Sequence, residues 1–336
     1  MPVAGSSLSR TLALAALLLV ATPALAHVPQ FGADNHSPET AIRVDEPTKS
    51  WAIYDTVGPD QAAYYRFSLE AGERLYVSLF SPRADGRPSV VVMRQDGAAG
   101  PPDPAPPPQV TVPAGYTAEV VAGTPAASAD FEPFTPAAYY VTAEVDRTPT
   151  APGTYLLAVY DGSGEGGPVG TALGRTESFS PVEYLTVPLD ALSIHAWEGD
   201  PLLLVAGPGA ALFLVGLAPL RRALSGRDRP VTRWLLGAAA LALVGTAANL
   251  AAQLAVALAT AGLTPVALVT VALVAVPVAV AAWLLRVATA PALALTPRRR
   301  LGLLLAGVGG LATWAGLLVA PLVPILVALA PPDRLP

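Results

Sequence analysis

The sequence predicts an antiparallel β-sandwich followed by a four-helix transmembrane bundle, and three observations predict it. The 336 residues are 53% hydrophobic and only 13% charged, too apolar for one soluble domain of ordinary make-up. The charges divide sharply: residues 27–200 carry 23 Asp and Glu against 9 Lys and Arg, whereas residues 201–336 carry 10 Arg against 2 Asp. The hydrophobic period changes at the same place, from alternation to apolar runs of about 20 residues.

The first element is a basic-then-apolar start, Arg10 followed by TLALAALLLVATPALA, closing on Ala24-Leu25-Ala26. Small-x-small is the form that signal peptidase cuts, so residues 1–26 read as a signal peptide. Cleavage there makes His27 the mature N-terminus and places residues 27–198 outside the plasma membrane.

Within 27–198, YYRFSLEAGERLYVSLF (64–80) alternates. Tyr65, Phe67 and Leu69 share one face, and Leu75, Val77 and Leu79 share another after Gly72. This predicts two antiparallel strands joined as a hairpin. PSVVVMRQDG (88–97) and GTYLLAVYDGSGEGG (153–167) predict two more strands ending in turns. The proline-rich stretch 101–115 sustains neither helix nor central strand and reads as an ordered loop or polyproline spacer. All ten tyrosines lie in this half, as a β-rich core requires. With no cysteine in the chain, disulfides, thiolate zinc sites and iron–sulfur ligation are excluded. The acidic balance of this half repels phosphate and argues against nucleic acid as a partner.

The stretches YYRFSLEAGERLYVSL, PSVVVMRQDG and PGTYLLAVYDGSGEGG together resemble the bacterial pre-peptidase C-terminal (PPC) domain, over roughly residues 51–167. That resemblance implies a small β-sandwich acting as a non-catalytic accessory module. The third strand departs from it, with Ser89-Val90-Val91-Val92 where acidic residues are usual. PTKSWAIY (47–54), FEPFTPAAYY (131–140) and IHAWEGD (194–200) resemble an uncharacterised family common in archaea. Its members are exported β-domains with C-terminal anchoring helices and a histidine directly after the signal. This second resemblance implies an architecture and no activity.

The second half predicts four membrane spans at about 202–220, 234–260, 263–286 and 301–323. Nine of its ten arginines fall in the 221–233 and 286–300 loops, which the positive-inside rule makes cytoplasmic. An even number of spans then carries the C-terminal tail outside. Asn249 and Gln253, with Thr246 on the same face, are the strongly polar residues within a span and read as interhelical hydrogen-bond glue, with a polar pore lining as the alternative. Small residues at four-residue spacing (Ala247, Ala251, Ala255, Ala259; Ala306, Gly310) suit close helix packing. The bilayer is the expected partner of this half, with other membrane or cell-surface proteins as further partners.

The candidate metal ligands are the three histidines. A mature N-terminal His27 offers its amine and a ring nitrogen to copper, and His195 or His36 would supply a third nitrogen. Such a start resembles lytic polysaccharide monooxygenases and periplasmic copper carriers. The chain has only Met1 and Met93, so the methionine-rich segments expected for Cu(I) are missing. Three smaller features complete the set. Lys49 is the single lysine beside 19 arginines, a position where a compact ammonium can pair with a buried carboxylate. Asp161, Ser163 and Glu165 place oxygens at alternate positions, faintly as in a calcium loop, but the distal bidentate Glu is missing and a hairpin turn is the favoured reading. Glu132 and Glu144 are acidic residues of the type that flank a sugar. No HExxH, GxSxG or GxxxxGK[ST] stretch occurs, so no hydrolase or nucleotidase is nominated. The expected function is a membrane-anchored extracytoplasmic binding or assembly module without catalytic activity. A copper-handling protein and an accessory subunit of a larger membrane complex are the alternatives.

Overall fold

The computed structural model describes residues 27–97 and 104–331. The signal-peptide reading falls on residues 1–26, outside the described residues. Two sheets stack in the N-terminal half. The first runs in the order β1 (Val28–Phe31), β3 (Trp51–Val57), β11 (Gly167–Leu173), β5 (Leu75–Ser81), β9 (Ala137–Arg147), β8 (Asp130–Glu132). The second runs β2 (Ile42–Arg43), β4 (Ala63–Leu69), β10 (Gly153–Asp161), β6 (Pro88–Gln95), β7 (Tyr116–Val121). The expected all-antiparallel pairing is corrected at one edge of each sheet, where β1 runs parallel to β3 and β2 parallel to β4. The two sheets are therefore mixed.

The predicted faces of 64–80 are right and the predicted hairpin is not. Tyr65, Phe67, Leu69, Leu75, Val77 and Leu79 all point into the core between the sheets. Yet β4 pairs with β10 and β2, and β5 pairs with β11 and β9. The Glu70–Arg74 turn thus arches from one sheet to the other. Either connection satisfies the same alternation, because both bring two apolar faces together.

Both sheets are also covered on their outer faces, which explains why β6 and β10 read as continuous apolar runs rather than alternating ones. Over the five-stranded sheet, Tyr64, Val91, Met93 and Leu156 pack under Val110 and Val112 of the proline-rich loop. The Thr111 amide donates to the Tyr64 hydroxyl at 2.7 Å. Over the six-stranded sheet, Ala52, Tyr54, Phe80 and Tyr139 pack under Ile194 and Trp197. These belong to a helix that the sequence did not announce, α1 (Pro181–Glu198).

The helical half begins with α2 (Leu202–Leu224), α3 (Pro230–Ala261) and α4 (Ala267–Ala288), three helices long and apolar enough to cross a membrane. The fourth apolar segment is not one such helix. It divides into α5 (Pro297–Ala312), a 3₁₀ turn at Ala315–Leu318 and α6 (Val319–Leu329). Trp314, Leu317 and Leu318 take left-handed φ values of 49°, 53° and 62° there, a conformation in which bulky residues are strained. The chain reverses at this point. The Arg300 guanidinium at the start of α5 donates to the carbonyls of Ala328 and Ala330 at the end of α6. Pro321 and Ile325 fill the space that side chains at Gly307 and Gly310 would need. The end of α6 therefore returns to the arginine-bearing end of α5, so the expected fourth span is a helical hairpin rather than one long helix.

Of the predicted small residues, Ala247, Ala306 and Gly310 are buried in helix contacts, while the rest of the α3 stripe is not. Ala251, Ala255 and Ala259 are exposed. The tight crossing is between α2 and α3 at Gly209 and Gly245, where a methyl group on Gly209 would lie 2.4 Å from the Gly245 carbonyl oxygen. The Gly209 amide, following Pro208, donates to Asn249 Oδ1 at 2.7 Å, and the Gly316 amide donates to Thr246 Oγ1 at 2.8 Å. Asn249 and Thr246 act as the expected interhelical glue.

Candidate functional site

The site is built by three segments that bring the β-domain and the helices together. The first is α1. Ser180 and Glu183 form a capping box, each side chain bonding the other's backbone amide, with Pro181 in the first turn. Glu183 also accepts from Lys49 Nζ at 2.7 and 2.8 Å, and the ammonium lies 4.7 Å over the Trp51 ring. Burial acts to raise the Glu183 pKa, but Lys49 and Ser180 outweigh it and hold the carboxyl below its ordinary value. The lone lysine thus fastens the start of α1 to β3, as its singularity in the sequence suggested. At the other end Gly199 caps the helix with φ 87°, a left-handed turn that glycine adopts without strain, and the chain passes into α2.

The second segment is the β8–β9 connection, Pro133–Pro136. The Thr270 hydroxyl of α4 donates to the Pro133 carbonyl at 2.6 Å, and the Phe134 ring meets Trp314 edge-on. The third is the α5–α6 tip. Trp314 stacks on Tyr184 with centroids 5.0 Å apart and donates from Nε1 to the Tyr184 carbonyl at 3.0 Å. The Tyr184 hydroxyl donates to the Leu311 carbonyl at 2.7 Å.

Between these segments lies a cavity of about 430 Å³. Its walls are mostly apolar, from α1 (Val187, Ala191, Leu192), α2 (Val205, Ala206, Phe213), α3 (Ala242, Leu250) and Leu273 of α4. Its polar groups are few: His27, Tyr54, Glu132, Thr135, His195, Thr246, Asn249, Gln253 and Thr313. Thr246 and Asn249 are engaged in the helix contacts above. Gln253 forms no hydrogen bond among the described residues, so its amide is free to meet an occupant.

Glu132 is the most perturbed carboxyl of the site. Burial, reinforced by the nearby Glu198 charge, raises its pKa to about 7 against hydrogen bonds from the Phe134 and Thr135 amides. The Phe134 amide donates to Oε1 at 3.0 Å. His195 is 2% exposed. Its Nδ1 lies 2.7 Å from Glu198 Oε2 and 3.3 Å from Asp200 Oδ2. Burial disfavours its charge, but the two carboxylates outweigh burial and raise its pKa. The Tyr139 hydroxyl donates to the other Glu198 oxygen.

The three expected metal ligands are not gathered into one site. His27 and His195 line the same cavity, whereas His36 is exposed on a turn beside β4, where the neighbouring Asn35 amide donates to the Tyr64 carbonyl. The His27 Nδ1, the ring nitrogen that would chelate together with the amine, lies 2.6 Å from Ser50 Oγ. Burial, with Arg175 nearby, lowers the His27 pKa and keeps the ring neutral. The donors that do converge are His195, Glu198 and Asp200, with ligand atoms within 4.8 Å of one another. Their mutual ion pairing already accounts for that proximity.

Two other sequence candidates are reassigned. Asp161 accepts from the amides of Arg87, Ser163 and Gly166 at 3.1, 3.3 and 3.1 Å, so it organises the β10–β11 loop and leaves no calcium cradle. Glu144 is exposed on β9 and does not line the cavity with Glu132. Sequence reasoning missed Tyr139, Glu198 and Asp200. The available signal for Glu198 and Asp200 was their place in IHAWEGD, directly ahead of the first membrane-length apolar run.

No protein-family model matches the chain, and no curated protein sequence matches it.

Proposed function

We propose that the protein is a membrane-anchored, extracytoplasmic binding module without catalytic activity, whose binding site is the cavity between the sandwich and the helices. The observation that carries this reading is the cavity itself. It is mostly apolar, it has a few convergent polar groups, one of them titrating near neutrality, and it sits between two structural layers, as ligand sites commonly do. The resemblance of residues 51–167 to a non-catalytic accessory sandwich supports the same reading. Filling the cavity tests it. Full-length protein extracted from membranes should carry a non-covalent small molecule detectable by native mass spectrometry. Ala206→Phe and Leu250→Trp, two separate ways of occupying the space, should both lose it. Equal occupancy in all three proteins, including none, would refute the assignment.

In this reading the β-domain faces outward and both arginine loops are cytoplasmic, which the positive-inside rule supports. Because α6 returns to the end where α5 begins, the C-terminus is cytoplasmic too. Reporter fusions at Gly226 and after Pro331 should both report the cytoplasm. An exterior signal at either position would overturn this topology.

A further inference from the structure

The binding-site reading can be taken one step further, to the class of ligand, and the step rests on that reading. The cavity has an apolar rim. Leu192 of α1, Ala210 of α2 and Leu317 of the hairpin tip line it and are exposed at the same time. Helix α1 shows what lies outside that rim. Val182, Leu185 and Leu189 are 60–70% exposed and Leu192 is 37% exposed, and their spacing places all four on one stripe. The opposite side of α1 carries Val187, Ala191 and His195 toward the cavity and Ile194 into the sheet. Three residues after α1 ends, α2 begins with Leu202, Leu203 and Leu204, which are 48–80% exposed. A helix with an exposed apolar stripe that continues within a few residues into a membrane-crossing helix lies with that stripe at the lipid boundary. The exposed stripe of α1 and the first turn of α2 form one lipid-facing surface, and the cavity opens within it.

The polar lining limits the head of the ligand. Among the described residues, none of those lining the cavity is Lys or Arg. The His195 ring is already engaged by Glu198 and Asp200. Arg175 lines only an adjoining cavity, stacked 4.1 Å over Tyr76. A phosphate or carboxylate head would meet Glu132 with nothing to balance it. The groups that remain are hydrogen-bond donors: the Gln253 amide, the Thr135 and Tyr54 hydroxyls, the imidazoles and the Glu132 carboxyl when protonated.

We propose that the cavity takes an uncharged amphiphile drawn sideways from the bilayer, with a carbonyl or ester head that accepts hydrogen bonds from Gln253 and its neighbours. Quinones and neutral acylglycerols share this chemistry. A volume of about 430 Å³ suits a head and the first part of one chain.

Two spin-labelled probes with the same chain isolate the head. Full-length protein in nanodiscs at pH 9 would be titrated with doxyl-labelled methyl stearate and with doxyl-labelled stearate. Their immobilised fraction would be read by electron paramagnetic resonance. The ester should show a saturable immobilised component that Ala206→Phe and Leu250→Trp abolish, and the anionic acid should bind at least about tenfold more weakly. Gln253→Leu should cost the ester about tenfold, as expected for one lost hydrogen bond of about 1.4 kcal/mol. Decylubiquinone and dioleoylglycerol as competitors would then separate the two sources, displacement by either one supporting the class. Equal binding of ester and acid would overturn the head assignment. An immobilised component unchanged by the filled cavity would show annular lipid only. If neither probe binds while a water-soluble molecule co-purifies with the wild type and not with the filled variants, the lipid class falls and the binding site stands.

Discussion

Replacing Arg233 with alanine is expected to cost about 3–5 kcal/mol of stability, the range for removing one partner of a buried charged network. The side chain is 0% exposed, and its guanidinium fills four roles at once. Nη1 donates to the carbonyls of Ala288 and Ala290 at 2.6 and 2.8 Å. Nε donates to the Asp228 carbonyl at 2.7 Å, and Nη2 pairs with the Asp228 carboxylate. The Ala288 and Ala290 carbonyls belong to the end of α4, where a helix leaves its last carbonyls without intrahelical partners and favours a nearby cation. Truncation leaves these acceptors unpaired and opens a void. Arg233→Lys keeps the charge but not the planar fan of donors, so it should recover less than half of the loss. Arg300, in the same relation to α6 but less buried, is the internal comparison, and Arg300→Ala should cost about 1 kcal/mol. Thermal unfolding of the detergent-solubilised protein measures all three. A loss below about 1 kcal/mol for Arg233→Ala would show that the latch is dispensable.

This pair of latches also shows where the sequence was legible. Pro230 and Arg233 stand in the same three-residue relation as Pro297 and Arg300, each proline opening a helix and each arginine reaching the end of the next one. The arginines could be read as loop charges from their positions. Their partners could not, because a backbone carbonyl has no sequence signature. The same limit applies to β4 and β5, whose inward faces follow from alternation while their partners β10 and β9 lie about 60 or more residues away. Helix α1 escaped notice because its apolar residues serve two faces, Val182 and Leu185 outward and Ile194 inward, which blurs the amphipathic period. The fourth span was over-read for a related reason. Residues 301–323 are apolar throughout, and hydropathy does not register the reversal at Trp314–Leu318, which is visible only in backbone angles. At the site, His27, His195, Glu132 and Gln253 were each singled out from the sequence. Their meeting around one cavity was not, since it depends on α1, the β8–β9 loop and the hairpin tip converging from three distant parts of the chain.

The convergence gives Glu132 a measurable signature. Its carboxyl is raised from 4.5 to about 7 by burial first and by Glu198 second. Raising an acid's pKa on folding means the native state resists ionisation. Below pH 4.5 the group is protonated in both states and costs nothing. Between 4.5 and 7 the unfolded chain ionises while the native chain does not, so stability is lost as pH rises, and the loss levels off above 7. At about 1.4 kcal/mol per unit of pKa, the full loss is at most about 3.5 kcal/mol, and the partial exposure of Glu132 reduces it. Glu132→Gln keeps the size and the acceptor for the Phe134 amide while removing the titration. The variant should match the wild type at pH 4 and exceed it by about 2–3 kcal/mol at pH 8. The His27 and His195 rings line the same cavity in both proteins, so their own contributions largely cancel in the comparison. Unfolding temperatures of the two proteins from pH 4 to pH 9 should therefore diverge steadily between 4.5 and 7 and run parallel above. Curves parallel across the whole range would show that Glu132 is solvated like any surface carboxylate, and that the cavity beside it is open to water rather than to lipid.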